Sequence, residues 1–285
     1  MIRILNFIID EKTNIFNKLL YRIFPKILKR IIIEVLEIDI IIYDIYIPKN
    51  QIKGEEKVIK KLIRELIKDE SYEFICEKGK YYDILFNYGF KTSNLKEYLL
   101  EKVSIAVRVI VKASQLSPDK VNIAIVDNEF NNNTLRIIKN LIYSSKNISL
   151  ISKCFKNYRQ AINDIYNEFG SAIIITDSYE PINRANIILI INSEDLIIEH
   201  IKNENAIVIC LDEKIKENEK IKTELITSYC FALSKELIKI IPNNISKSEV
   251  ASTIYFEDNN NKKYEKINQF YSFNKQISIK EIKDK

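Results

Sequence analysis

Val121-Asn-Ile-Ala-Ile-Val126, followed by Asp127-Asn-Glu-Phe-Asn-Asn-Asn133, is the stretch on which the reading of this chain turns. Apart from Asn122 the first six residues are apolar and mostly β-branched, as in a strand covered on both faces. The next seven contain no glycine, and a helical pattern follows them. In a dinucleotide-binding unit this loop reads G-x-G-x-x-G. Its backbone must approach a pyrophosphate, and the helix N-terminus must face it. Here two carboxylates, Asp127 and Glu129, stand in that place. The stretch predicts a strand–loop–helix unit and argues against the commonest use of one.

Outward from it, strands are expected over residues 122–126, 149–151, 172–176, 187–191 and 207–211. Helices are expected over 134–145 and 158–169, with Gly170 as the C-cap, and a short one over 195–202. Strands built from Ile, Val, Ala and Leu on both faces belong to a parallel sheet sandwiched by helices. The fold class is therefore α/β: a Rossmann-like doubly wound parallel sheet, preceded by a smaller α/β lobe, with right-handed crossovers expected. Before it, a long helix capped by Asn94, with Glu97 completing a capping box, runs to about Leu116 and stops ahead of Pro118.

The first part reads less cleanly. Apolar residues from Ile15 to Ile31 recur at three-to-four spacing, with Lys18, Arg22, Lys26, Lys29 and Arg30 between them. This predicts an amphipathic helix, kinked or divided at Pro25. A strand over 37–47, a helix over 55–68, and short strands over 72–76 and 83–86 should follow. Beyond Ile241-Pro242 the pattern weakens, and 257–263 is rich in Asn and charge. The expected domains are an N-terminal lobe at 1–93, a linking helix at 94–118, the Rossmann-like domain at 119–242, and a partly mobile tail at 243–285. An unknown protein partner would dock through the N-terminal helix or the tail, whose Tyr264, Phe270, Tyr271 and Phe273 are adhesive.

Composition excludes several classes. The net charge of +5, from 44 Lys+Arg and 39 Asp+Glu, is interspersed, so nucleic acid is not expected. Ile, Lys and Asn are over-represented as AT-rich coding would produce. The longest apolar stretch, residues 31–47, holds Glu34, Glu37, Asp39 and Asp44, which forbids a transmembrane reading. Asp10 and Glu11 break the first apolar run early, unlike a signal peptide. The chain is read as cytoplasmic. Cys76, Cys154, Cys210 and Cys230 are far apart and the one histidine is His200, so no metal site is expected. The cysteines read as small buried hydrophobes in a reducing compartment.

From about Leu95 to Lys222 the chain resembles the NAD(P)-binding domain of glutamyl-tRNA reductases and shikimate dehydrogenases. The residues that carry this are the helix 102–112, Glu168-Phe169-Gly170, and the strand Ala185-Asn-Ile-Ile-Leu-Ile-Ile191 after a segment too short for a full helix. The resemblance implies a site formed by Asp127, Asn128, Asn131, Ser152, Lys153 and Asn192. Asp127, Glu129 and Asn132 fall where that family has glycines, and Ser152-Lys153-Cys154 replaces its Asn-Arg-Thr. No cofactor is therefore expected, NADP being the one the resemblance would bring.

The implied function is a non-catalytic descendant of a two-lobed NAD(P)-dependent dehydrogenase, a pseudoenzyme with a binding or structural role. The alternative is an active NAD(P)- or nucleotide-dependent oxidoreductase with an atypical phosphate loop. A third reading takes Asp127, Glu129 and Asp177 as the Mg²⁺ pocket of a receiver-like phosphoacceptor domain. No catalytic residue is assigned. Cys76, with Lys78 nearby, is the one candidate nucleophile, and His200 reads as exposed.

Overall fold

The computed structural model describes residues 2–10, 27–35, 38–48, 73–76, 80–87, 94–193, 197–212, 223–257, 266–273 and 275–278. In chain order its elements are β1 (Ile2–Asp10), β2 (Ile27–Val35), β3 (Ile38–Pro48), β4 (Glu73–Cys76), α1 (Lys80–Asn87), α2 (Leu95–Ala113), β5 (Asn122–Asp127), α3 (Asn132–Leu141), β6 (Asn147–Ile151), α4 (Phe155–Phe169), β7 (Ile173–Thr176), β8 (Ile187–Asn192), β9 (Ile207–Cys210), β10 (Glu224–Ile226), β11 (Ser228–Cys230), α5 (Lys235–Ile240), α6 (Lys247–Glu257), β12 (Gln269–Ser272) and β13 (Lys275–Ile277). They fall into two compact units. One is Met1–Leu95 with Leu233–Lys262; the other is Lys96–Ala232 with Lys263–Lys285.

The first unit holds a four-stranded sheet in the order β2-β3-β1-β4. β1 runs parallel to β3 and β4, while β2 is antiparallel to β3. Ile2, Ile4, Leu5, Ile40, Ile41, Ile42 and Ile75 are buried. Across the sheet, Asn6 Nδ2 donates to Asp44 Oδ1 at 2.7 Å between directly opposed residues. α6 packs against β4.

Two expectations fail in this unit. Residues 27–31 belong to β2 and not to an amphipathic helix. The run is rich in β-branched residues, and pairing with β3 over its length overrides the helical spacing. Residues 83–86 lie in helix α1, with Asp83 exposed and Leu85 buried, whereas a strand would place both on one face. Residues 15–26, the helix expected over 55–68, Lys78 and Gly79 lie outside the described residues.

The second unit is built on a six-stranded sheet in the order β10-β9-β8-β5-β6-β7, parallel throughout. Counted from β5, this is the order 3-2-1-4-5-6 of a doubly wound sheet. Its central strands, β5, β8 and β9, are buried, whereas the outer strand β7 is partly exposed. One face carries Ala124, Val126, Ile151, Ile188, Ile190, Val208 and Cys210 in a single apolar cluster. Tyr179, Ile201 and Phe273 pack on that cluster.

α2 ends at Ala113, earlier than the expected Leu116, and Gln115 then turns left-handed at φ 54°. The 3-10 turn Ile197–His200 stands where a short helix is expected. Residues 258–265, where the sequence is richest in Asn and charge, lie outside the described residues. α6 precedes them, and β12 and β13 join β11 in a three-stranded antiparallel sheet. Phe270 and Tyr271 are buried there. Tyr229, on β11, is fully buried and its hydroxyl donates to the Leu99 carbonyl of α2.

α4 stops at Gly170, which is left-handed at φ 67°. A Cβ there would meet nothing within 4 Å, so a side chain is opposed by backbone strain alone. Gly170→Ala is expected to cost about 1 kcal/mol, read from urea unfolding. A neutral result would mean that the left-handed cap is not populated.

Candidate functional site

In a sheet of this order, ligands bind beyond the carboxyl ends of the strands, where the order reverses. That point lies between β5 and β8. The residues leaving the strand ends there are Asp127 and Asn128 after β5, Ser152 to Cys154 after β6, Asp177 after β7, Asn192 and Ser193 after β8, and Asp212 after β9.

Asp127 turns inward. It is 1% exposed, and its Oδ2 accepts from the Thr134 hydroxyl at 2.5 Å and the Tyr158 hydroxyl at 2.9 Å. Its Oδ1 accepts from the Glu129 N–H at 3.3 Å. Burial raises its pKa above the ordinary 3.8, against the lowering effect of these three hydrogen bonds, with the nearby Glu129 charge adding to the rise. Burial likewise pushes the Tyr158 phenol up, and the adjacent Asp127 charge adds to it. Glu129 itself is exposed.

The start of α3 is occupied by the chain's own groups. Asn131 is the N-cap, and its Oδ1 accepts from the Asn133 N–H at 2.8 Å. The Asn131 carbonyl accepts from the Thr134 N–H at 3.1 Å. The Asn131 N–H donates to the Tyr158 oxygen at 2.9 Å, and the Phe130 ring packs on Tyr158 with centroids 4.9 Å apart. Two donors that would cradle a pyrophosphate are thus already used.

Asn128 ties three strand ends together. Its N–H donates to the Asn192 carbonyl at 3.0 Å, and its Oδ1 accepts from the Lys153 N–H at 3.3 Å. Its carbonyl accepts from Cys154 Sγ at 3.3 Å. Ser152, fully buried, accepts the Cys154 N–H on its hydroxyl at 3.1 Å. Between β5 and β8 the register shifts, with Val126 opposite Ile190 and Asp127 opposite Asn192. Ile191 is the extra residue, a bulge at the switch point. On the far side, the Ser193 N–H and hydroxyl both donate to Asp212 Oδ2 at 2.8 Å.

The six expected site residues therefore meet in one place, but as a hydrogen-bonded clasp across the strand ends. Sequence reasoning missed Tyr158, Thr134, Ser193 and Asp212. A signal for Tyr158 was present: it shares the buried stripe of α4 with Ile162 and Ile165, and a buried hydroxyl needs a partner.

α4 begins differently from α3. No side chain caps it, and Lys153 and Lys156 flank its start. Arg159 follows, its guanidinium 5.3 Å from the centre of the Phe155 ring.

Cys76 is buried in β4, opposite Leu5. His200 is exposed, as expected, and stacks on Tyr179 at 4.6 Å. Among the described residues no group of three or more His, Cys, Asp or Glu could hold a metal ion, and no helix is long and apolar enough to cross a membrane.

No family model and no curated protein matches the chain. Solved structures similar to it include aspartate transcarbamoylase from Trypanosoma cruzi. The complex with carbamoyl phosphate has a TM-score of 0.31 at 12% identity, covering 79% of this chain and 73% of that one. The complex with N-(phosphonacetyl)-L-aspartic acid has a TM-score of 0.31 at 12% identity, covering 79% and 74%. At such values the likeness reaches neither activity nor substrate.

These neighbours are not dehydrogenases, and the resemblance to glutamyl-tRNA reductases and shikimate dehydrogenases is corrected accordingly. Neither a pseudoenzyme descended from an NAD(P)-dependent dehydrogenase nor an NAD(P)-dependent oxidoreductase is retained. The geometry agrees, since the α3 donors are used and Asn128 bridges β5 to Asn192 where a dinucleotide would lie. The receiver-like reading goes too. Asp127 is enclosed by its donors, while Asp177 is exposed at the end of β7.

Proposed function

We propose that the second unit binds a small anionic ligand, a phosphate or carboxylate, at the start of α4. The supporting observation is the contrast between the two helix starts at the carboxyl edge of the sheet. α3 is capped by Asn131, whereas α4 has no side-chain cap. At the start of α4 the Asn157 N–H donates to the Cys154 carbonyl at 2.9 Å, as Thr134 does to Asn131 in α3. The earlier N–H groups of a helix without a side-chain cap are left for water or an anion, and the helix dipole favours negative charge there. The backbone entering α4 is held in place by the Asn128 and Ser152 side chains. Lys153 and Lys156 add positive charge at the same end. Lysine is a point charge here, without the bidentate fork of arginine. Glu129 brings an opposing charge to this neighbourhood: its backbone carbonyl lies 2.8 Å from the Tyr158 hydroxyl in the first turn of α4, and its side chain is exposed.

Isothermal titration with inorganic phosphate and with adenosine monophosphate tests this at low ionic strength, where exposed charges are least screened. Exchanging both Lys153 and Lys156 for Ala should weaken binding roughly tenfold, about 1.4 kcal/mol. Glu129→Gln should tighten it. Affinity that is unchanged in the double variant, or wild-type protein that binds neither probe at millimolar concentration, rejects the site.

A further inference from the structure

The Tyr158 hydroxyl stands between two acceptors. Its oxygen lies 2.9 Å from Asp127 Oδ2 and 2.8 Å from the Glu129 carbonyl oxygen, and it accepts the Asn131 N–H at 2.9 Å. A phenol has one hydrogen, which serves one of the two acceptors at a time. The charge on Asp127 decides which. An ionised carboxylate accepts only, and it attracts the Tyr158 hydrogen together with those of Thr134 and the Glu129 N–H. A protonated carboxyl carries a hydrogen of its own and needs an acceptor. The Tyr158 oxygen is in reach, and its own hydrogen is then free to turn to Glu129.

We propose that Asp127 and Tyr158 form a proton-driven switch, in which protonation of Asp127 turns the Tyr158 hydroxyl from that carboxylate to the Glu129 carbonyl and so alters how the 128–131 loop is tied to α4. The change takes one proton from solvent onto Asp127, breaks the Tyr158-to-Asp127 hydrogen bond, and makes one from Asp127 to Tyr158 and one from Tyr158 to Glu129. No covalent bond between heavier atoms changes. The titratable groups facing Asp127 are Tyr158 from α4 and Glu129 from its own loop. Thr134 from α3 and Asn192, opposite it on β8, do not titrate. Burial moves the midpoint above the ordinary 3.8, and the Glu129 charge moves it the same way. The switch stands independently of the anion site.

Carbon and nitrogen NMR of the full chain across acidic pH reads it directly. Asp127 Cγ, Tyr158 Cζ and the Phe130 amide nitrogen, which follows the Glu129 carbonyl, should titrate with one shared midpoint above 3.8. In Tyr158→Phe, Asp127 should still titrate while the Phe130 response is lost. In Asp127→Asn, both the Tyr158 and Phe130 responses should be lost. A Tyr158 Cζ that does not move while Asp127 Cγ titrates overturns the proposal, as does a Phe130 response that survives in Tyr158→Phe. The wild-type shifts decide even if a variant does not fold.

Discussion

Asp127→Ala is expected to destabilise the second unit by about 2 to 3 kcal/mol near neutral pH, and Asp127→Asn by about 1 kcal/mol or less. The alanine leaves the Thr134 hydroxyl, the Tyr158 hydroxyl and the Glu129 N–H without the acceptor they share. Tyr158 recovers part of the loss by turning to the Glu129 carbonyl, which keeps the cost below that of three orphaned donors. Asparagine keeps one acceptor oxygen for the Glu129 N–H and presents its amide to two hydroxyls that accept. The pH dependence has a definite sign. Because the folded-state pKa is raised, Asp127 binds more protons in the native state than in the unfolded chain. The part of its contribution that comes from protonation is therefore complete below the unfolded value near 3.8 and is lost as pH rises through the folded value, while the hydrogen bonds to the ionised carboxylate remain. The stability of wild type relative to Asp127→Asn should fall with rising pH across that window. Urea unfolding of both proteins at a series of pH values measures it. A relative stability that rises with pH would mean that the hydrogen bonds outweigh burial.

The sheet of the second unit is legible because each strand is a short run of Ile, Val, Leu and Ala bounded by polar turns. Both faces are covered, so no alternation is needed to recognise it. The same property hides the direction of Asp127. In a strand buried on both sides, no polar face tells which way the last residue points, and a carboxylate after Val126 reads equally as facing ligand or core. Only the positions of Thr134 and Tyr158, on two different helices, decide it. The loss at 27–31 has another cause. Isoleucines at three-to-four spacing satisfy a helix, but their β-branching favours a strand once β3 supplies a partner, and that partner is remote information. The clasp of Asn128 onto Asn192 and Lys153 was half legible. The residues were expected at one site, but the sequence does not distinguish an amide waiting for a ligand from one bonded to neighbouring loops.

Ile190→Ala should cost about 2 to 5 kcal/mol, whereas Ile174→Ala should change stability by no more than about 0.5 kcal/mol. Both are isoleucines in parallel strands of one sheet, and nothing in their local sequence separates them. Ile190 lies on β8, at the centre of the sheet, is 0% exposed, and packs in the cluster with Val126, Ile188 and Val208. Truncation there removes three methyl or methylene groups and leaves a cavity between strands that cannot close without moving the sheet. Ile174 lies on β7, the outer strand, and is 61% exposed. The connection from β7 to β8 explains this. Where a doubly wound sheet usually places a helix, this chain has the 3-10 turn Glu180–Arg184, whose Ile182 joins the central cluster. That leaves the outer part of β7 without a cover, and Ile174 has little to lose. Urea unfolding of the two variants side by side tests the assignment. Equal losses would mean that β7 is covered in solution, and would place Ile174 in an interface or a core that this chain alone does not form.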